Sequence, residues 1–463
     1  MPQPSSNSIS AEKFLNIVLE EAVRDRASDV HIEPLAGMLR VRFRIDGYLQ
    51  ERYQRPLEEY DALVMRVKAI SDLDIASRLP QDGHFEFSVE LTDEQKEAGP
   101  VDADEITTFS NQTPSRLTNA LSSLFGGDAQ SDANSSQPRP ENAKKNTSGL
   151  EMPAKNKERI RPAGMYILNV RVSLFPTVYG EAVVFRLLNR GDMLIPLSAL
   201  GMMKEDLAAV RQLISRSYGM ILTTGPSGSG KTTTLYAILQ ELKDKKKNIV
   251  TLEDPVEFYF GDIRQTQIRP EQGLTYAVGM KSILRQDPDV LMIGEIRDQE
   301  TAEYAMRASL IGRIVGSTVH SNTAIGTIAR LIDMGVERSL VAYALSGVIS
   351  QRLVRHVCNA CVEPYAPDPQ LLELLGISGA DSQRFHKGKG CAACDGTGYS
   401  GRTGIYAVMR VDDELRSLIV EHAPMKTLQD YMERMGGTST LRQRAAEKVL
   451  AGETTAEEAV LVV

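Results

Sequence analysis

Two groups of residues in this chain have the types and spacing of chemical sites. The first, Gly225-Pro226-Ser227-Gly228-Ser229-Gly230-Lys231-Thr232-Thr233, has the spacing of a phosphate-binding loop. Its glycines let backbone N–H groups approach phosphate oxygens, and the dipole of a helix opening at Lys231 favours the anion. Lys231 would reach the β- and γ-oxygens of ATP, and Thr232 would hold Mg²⁺. The second group is Cys358-x-x-Cys361 with Cys391-x-x-Cys394, which together hold all the cysteines of the chain. Two such pairs suit tetrahedral Zn²⁺, and four thiolates leave no open position for water, so the site reads as structural. The gap between Cys361 and Cys391 exceeds that of the shortest zinc ribbons, so a loop must project between the pairs.

Four short apolar runs surround the first group: Met220–Thr223, Ile249–Leu252, Val290–Ile293 and Ile314–Val319. Stretches with helical periodicity separate them, which predicts an α/β domain with a parallel sheet. Each run ends in residues suited to chemistry: the glycine loop, Glu253-Asp254, Glu295 and His320. In such a sheet the carboxyl ends of the strands line one edge, where ligands bind. Glu295 is expected to serve Mg²⁺ and position water, Glu253 to polarise the attacking water, and His320 to sense the γ-phosphate. Asp254 fits a solvated loop as well as a site. Behind the loop, Leu235, Ile238, Leu239 and Leu242 recur at helical spacing and would pack the helix on the sheet.

Upstream the pattern differs. Ser10 can cap a helix running to about residue 26. Leu39, Val41, Phe43 and Ile45 then alternate with Arg40, Arg42, Arg44 and Asp46, a half-buried strand closed by the turn pair Asp46-Gly47. A helix around 57–73 and a strand near Phe85–Val89 follow, and alternation resumes at Tyr166–Leu174 and Glu181–Leu188. Residues 91–160 are rich in Ser, Thr, Asn, Asp, Gly and Pro and cannot bury enough apolar surface to offset chain entropy. The expected organisation is therefore an N-terminal α+β (PAS-like) domain over 9–90 and 161–195, split by a polar insert over 91–160. A P-loop ATPase domain over 196–355, a tetracysteine module over 356–400 and a helical region over 401–463 complete it.

Bulk composition narrows the function classes. A chain of 463 residues exceeds what one core supports. A net charge of −8 gives no global attraction to nucleic acid or anionic lipid. No apolar run reaches the ~18 residues of a membrane span. Thiols paired for a metal suit a reducing, cytoplasmic compartment.

The chain resembles the secretion ATPases that assemble type II secretion pseudopili and type IV pili (general secretion pathway protein E and PilB). The resemblance rests on Ala27-Ser-Asp-Val-His-Ile-Glu-Pro34, Gln81-Asp-Gly83, the P-loop, Glu253-Asp-Pro-Val-Glu257 and Leu284-Arg-Gln-Asp-Pro-Asp289. Gly294-Glu-Ile-Arg-Asp298, Thr318-Val-His-Ser-Asn322, Gln351-Arg-Leu-Val-Arg355, the cysteine pairs and Gly398-Tyr-Ser-Gly-Arg-Thr-Gly404 continue it. It implies a RecA-like core and a hexameric motor, peripheral to the inner membrane, whose N-terminal domain swings over ATP and displaces a membrane platform protein. It further implies that Arg171 and Arg186 act as arginine fingers, beside Glu253, Glu295 and His320. Departures are His84 for the family's arginine after Gln81-Asp-Gly83, and Ile311-Gly-Arg313 for Thr-Gly-His. The matching residues begin at the family's second domain, which leaves open how the motor attaches; the insert is one candidate. Two other readings compete: a RecA-like nucleic-acid translocase, and a nucleotide-gated scaffold without turnover.

Overall fold

The computed structural model describes residues 10–90, 165–188, 194–243, 246–378, 385–434 and 440–463. The expectation for 91–160 lies outside these residues. The sites below belong to one compact unit, formed by the described residues up to 87 and from 168 onward.

Six strands form one sheet: β1 (Asp29–Leu35), β2 (Met38–Ile45), β3 (Tyr48–Pro56), β4 (Gln81–Glu90), β5 (Met165–Thr177) and β6 (Gly180–Leu188), in the order β3-β2-β1-β6-β5-β4. The alternation in β2 is realised. Leu39, Val41 and Phe43 are buried, while Arg40, Arg42 and Arg44 lie on the other face. The helix expected after Ser10 is α1 (Ala11–Arg24), whose Lys13 N–H donates to the Ser10 hydroxyl. With α2 (Tyr60–Ile70) it contributes the buried Phe14, Leu15, Val18, Leu63, Val64 and Val67.

The second sheet has seven strands. β7 (Gly219–Thr224), β8 (Ile249–Glu253), β10 (Val290–Ile293) and β11 (Ile314–Val319) are the four apolar runs, and they pair in parallel. Three further strands are β9 (Arg264–Gln267), β12 (Leu345–Val357) and β15 (Tyr399–Arg410), giving the order β15-β12-β7-β11-β10-β8-β9. The helical region expected from residue 401 therefore begins as a strand, and helices follow only from Asp413. Gly398-Tyr-Ser-Gly reads as turn, and β12 and β15 bury on both sides, so neither shows an amphipathic alternation.

Helices cover both faces. On one lie α3 (Lys204–Ile214) and α4 (Lys231–Lys243), burying Leu213, Leu235, Ile238 and Leu242 against Ile221, Met292 and Ile314. On the other lie α5 (Tyr276–Ile283), α6 (Gln299–Leu310), α7 (Ala324–Asp333) and α8 (Arg338–Ala344), packed on Leu222, Leu252, Ile293 and Val315.

Candidate functional site

The loop 225–230 joins the buried strand β7 to α4, which opens at Lys231. Gly228 and Gly230 sit at φ +76° and +85°, backbone that L side chains rarely adopt. Gln351 of β12 braces the loop, its side-chain amide donating to the Ser229 carbonyl at 2.5 Å. Lys231 is buried and donates to the carbonyls of Gly225 and Pro226, each at 2.9 Å. Burial pushes its ammonium below the usual lysine range; the Glu295 charge opposes this and Arg352 adds to it.

Glu295 and His320 meet. Glu295 follows β10, His320 follows β11, and the imidazole Nε2 is 3.6 Å from a Glu295 carboxylate oxygen. Arg297 forms an ion pair with the same carboxylate. Thr232 and Thr233 are half-buried in the first turn of α4. The loop, its lysine and these two residues share the carboxyl edge of the sheet.

Glu253 behaves differently from expectation. Its side chain is 2% exposed and faces α4 rather than the open edge. Three donors occupy it: the Tyr236 hydroxyl, the Thr251 hydroxyl at 2.5 Å and the Gln265 amide at 3.1 Å. Both oxygens of this enclosed carboxylate are engaged by these donors. Asp254 is the exposed acid of that segment, and Glu257, quoted in the sequence only as part of a motif, is half-buried with one carboxylate oxygen lacking a hydrogen-bond partner. The reason is local: β8 ends at Glu253 with that side chain on the α4 face, and the chain then turns outward.

Across the first sheet the register aligns Arg44 with Asp29, Asp29 with Arg186 and Arg186 with Arg171. This row crosses four strands. Arg186 Nε lies 3.1 Å from Asp29, and Arg171 reaches out of the sheet to Glu257 at 3.4 Å. Burial raises the Glu257 carboxyl above its ordinary range; Arg171 and Arg186 pull it down, and Glu253 pushes it up. Asp29 was missed as a partner because a lone acid in a strand carries no periodic signal.

The four cysteine sulfurs lie within 4.8 Å of one another. Cys358–Cys391, Cys361–Cys394 and Cys391–Cys394 are 3.9, 3.8 and 3.7 Å apart. Tetrahedral Zn²⁺ with bonds of about 2.3 Å spaces its sulfurs at about 3.8 Å, so the donor set fits that ion. Backbone N–H groups of Cys391 and Gly398 point at the Cys394 sulfur at 3.2 and 3.3 Å. The projection between the pairs is a hairpin of β13 (Val362–Tyr365) and β14 (Phe385–Gly388) with a short helix, α9 (Pro369–Leu375). Gly388 is obligatory there, because a Cβ would stand 2.1 Å from the Gly398 carbonyl.

The first sheet rests on this module and on the strands β12 and β15 that flank it. Asp46, in the turn between β2 and β3, accepts from the Gly401 N–H at 2.9 Å, and Arg52 reaches Asp395 at 3.1 Å. Arg355 lies between the rings of Tyr48 and Tyr399, 4.0 Å from each centroid, and pairs with Glu458 at 2.5 Å.

Comparison with known proteins agrees with these features. The family described as Type II/IV secretion system protein matches residues 5–96 and 149–461. The type II secretion system protein E of Pseudomonas aeruginosa is 38% identical over 451 residues, covering 97% of this chain and 75% of that protein. The type II secretion system ATPase E of Vibrio cholerae matches with the same identity and coverage. The type IV pilus assembly ATPase PilB of Myxococcus xanthus is 37% identical over 452 residues, covering 97% and 67% of the two chains. Among solved structures, the ATPase DotB of Legionella pneumophila superposes with a TM-score of 0.63 at 18% identity, covering 100% and 98%. The pilus retraction motor PilT with bound ADP gives 0.54 at 23% identity, covering 97% and 96%; both likenesses concern the fold.

Proposed function

The chain belongs to the type II/IV secretion system protein family, and from that premise we propose a hexameric ATPase motor that powers pilus or pseudopilus assembly at the cytoplasmic membrane. Its core is RecA-like, and its partner is an inner-membrane platform protein that it reaches through protein contacts. What carries the reading is the convergence of Lys231, Glu295 and His320 on the carboxyl edge of one parallel sheet. The N-terminal domain comprises the six-stranded sheet and its helices. The ATPase domain takes β7 through β12 together with β15, and the tetracysteine module lies between those last two strands.

In this reading the loop 225–230 binds the phosphates of ATP, with Lys231 leaving its loop carbonyls for the β- and γ-oxygens. Thr232 would hold Mg²⁺, Glu295 would orient the water and metal shell, and His320 would report on the γ-phosphate. Glu257 replaces Glu253 as the acceptor of the water proton, because it is half-buried where Glu253 is sealed, keeps one carboxylate oxygen without a hydrogen-bond partner, and is raised in affinity for a proton. Arg171 and Arg186 stabilise charge developing on the transferred group. Zn²⁺ at the four cysteines would supply folding energy and no chemistry.

The test is phosphate release by the purified protein with ATP and Mg²⁺. Turnover that is lost on Lys231→Ala supports the reading. No hydrolysis by the intact hexamer would overturn it.

A further inference from the structure

The burial of Glu253 needs a reason. Enclosing a carboxylate is costly unless its lone pairs are satisfied. Its partners among the described residues are neutral donors rather than a lysine or arginine: Tyr236 from α4, Thr251 from its own strand and Gln265 from β9. Three donors and no acceptor satisfy the lone pairs of its two oxygens.

Tyr236 links this carboxylate to the loop beyond it. The side chain is fully buried on α4, the helix that opens at Lys231. Its oxygen also accepts the backbone N–H of Glu257 at 3.3 Å. A phenol has one proton to give. Since the Glu257 N–H is a donor, that proton goes to Glu253. The direction of both hydrogen bonds is thereby set.

We infer that Tyr236 and Glu253 are a positioning pair for Glu257: the phenol ties the Glu257 backbone to the P-loop helix, and the sealed carboxylate stands behind it. The inference rests on the reading of Glu257 as the base. The groups acting on Glu257 are Arg171 from β5, Arg186 from β6 and Glu253 from β8; on the far side Tyr276 of α5 faces Glu253, Asp254 and Glu295. Like charge nearby favours the protonated acid, so Glu253 makes Glu257 a stronger base, against the two arginines. The same tether makes any movement of the P-loop helix a movement of the base.

The sign follows directly. A base works when deprotonated, so turnover fails below its pKa. Neutralising Glu253 removes the upward push, and the acid limb of the kcat profile moves to lower pH.

The experiment is the pH profile of steady-state ATP turnover for the wild-type hexamer, Glu253→Gln and Tyr236→Phe. Glu253→Gln is expected to shift the acid limb down by at least half a pH unit, with turnover at neutral pH reduced less than about a hundredfold. Tyr236→Phe, a milder change that keeps the ring packed and leaves the Glu253 side chain in place, removes the tether without removing that carboxylate. It is expected to lower kcat about tenfold, with the acid limb where it is in the wild type and the KM for ATP within twofold. Abolished turnover at every pH in Glu253→Gln, with ATP binding retained, would make Glu253 itself the base and overturn the pair. An unmoved limb in Glu253→Gln, or a kcat within twofold of wild type in Tyr236→Phe, would also overturn it. A Glu257→Gln variant that still turns over would instead strike the underlying reading of the base.

Discussion

The Arg171 guanidinium stands 3.4 Å from the Glu257 carboxylate, so a strand of the first sheet and the loop after β8 meet at an ion pair beside the phosphate-binding edge. A motor needs such a junction. Whatever changes charge at Glu257 is felt by the sheet that carries Arg171, and the row Arg44, Asp29, Arg186, Arg171 spreads that contact over four strands.

Arg186 provides the sharper test of that row. Its side chain is 62% exposed and its contact is Asp29, so its removal should leave stability nearly unchanged. Arg186→Ala should nonetheless lose on the order of 10³-fold in ATP turnover if the cation stabilises phosphoryl transfer. Single-turnover kinetics would measure it. A loss below tenfold would reduce Arg186 to a structural arginine.

The tetracysteine module should fail as a unit. Cys391→Ser is expected to abolish zinc binding, read by elemental analysis, and to lower the melting temperature, because metal binding there is folding free energy. Full zinc occupancy with an unshifted melting curve would remove the metal from the account.

Arg355 of β12 holds the first sheet against Tyr399 of β15, beside that module. Removing it strips a cation from between two aromatic rings and leaves the 7% exposed Glu458 side chain without its partner. Arg355→Ala should cost about 3–5 kcal/mol in denaturant unfolding, and hydrogen exchange should rise in the segment around Tyr48. A midpoint unchanged from wild type would show that the docking contributes nothing.

Much of this was legible in residue order. The P-loop, the four parallel strands and the alternation of β2 follow from spacing and periodicity, which are local. The cysteine pairs announced their cluster for the same reason. What stayed hidden depends on side-chain direction at strand ends. Glu253 and Glu257 differ by four positions in one motif, and nothing in their order says which carboxylate α4 seals. Gln351, Tyr236 and Asp29 act through contacts between distant segments, and β12 and β15 carry no face preference to betray them. The motifs that supported the family resemblance contained several of these residues without revealing what each touches.

The central claim is that Glu295, beside Lys231 and His320, serves the hydrolysis of ATP. Steady-state phosphate release by purified Glu295→Gln, compared with wild type at saturating ATP and Mg²⁺, tests it most directly. The variant should retain nucleotide binding and release phosphate very slowly. Release at close to the wild-type rate would contradict the claim.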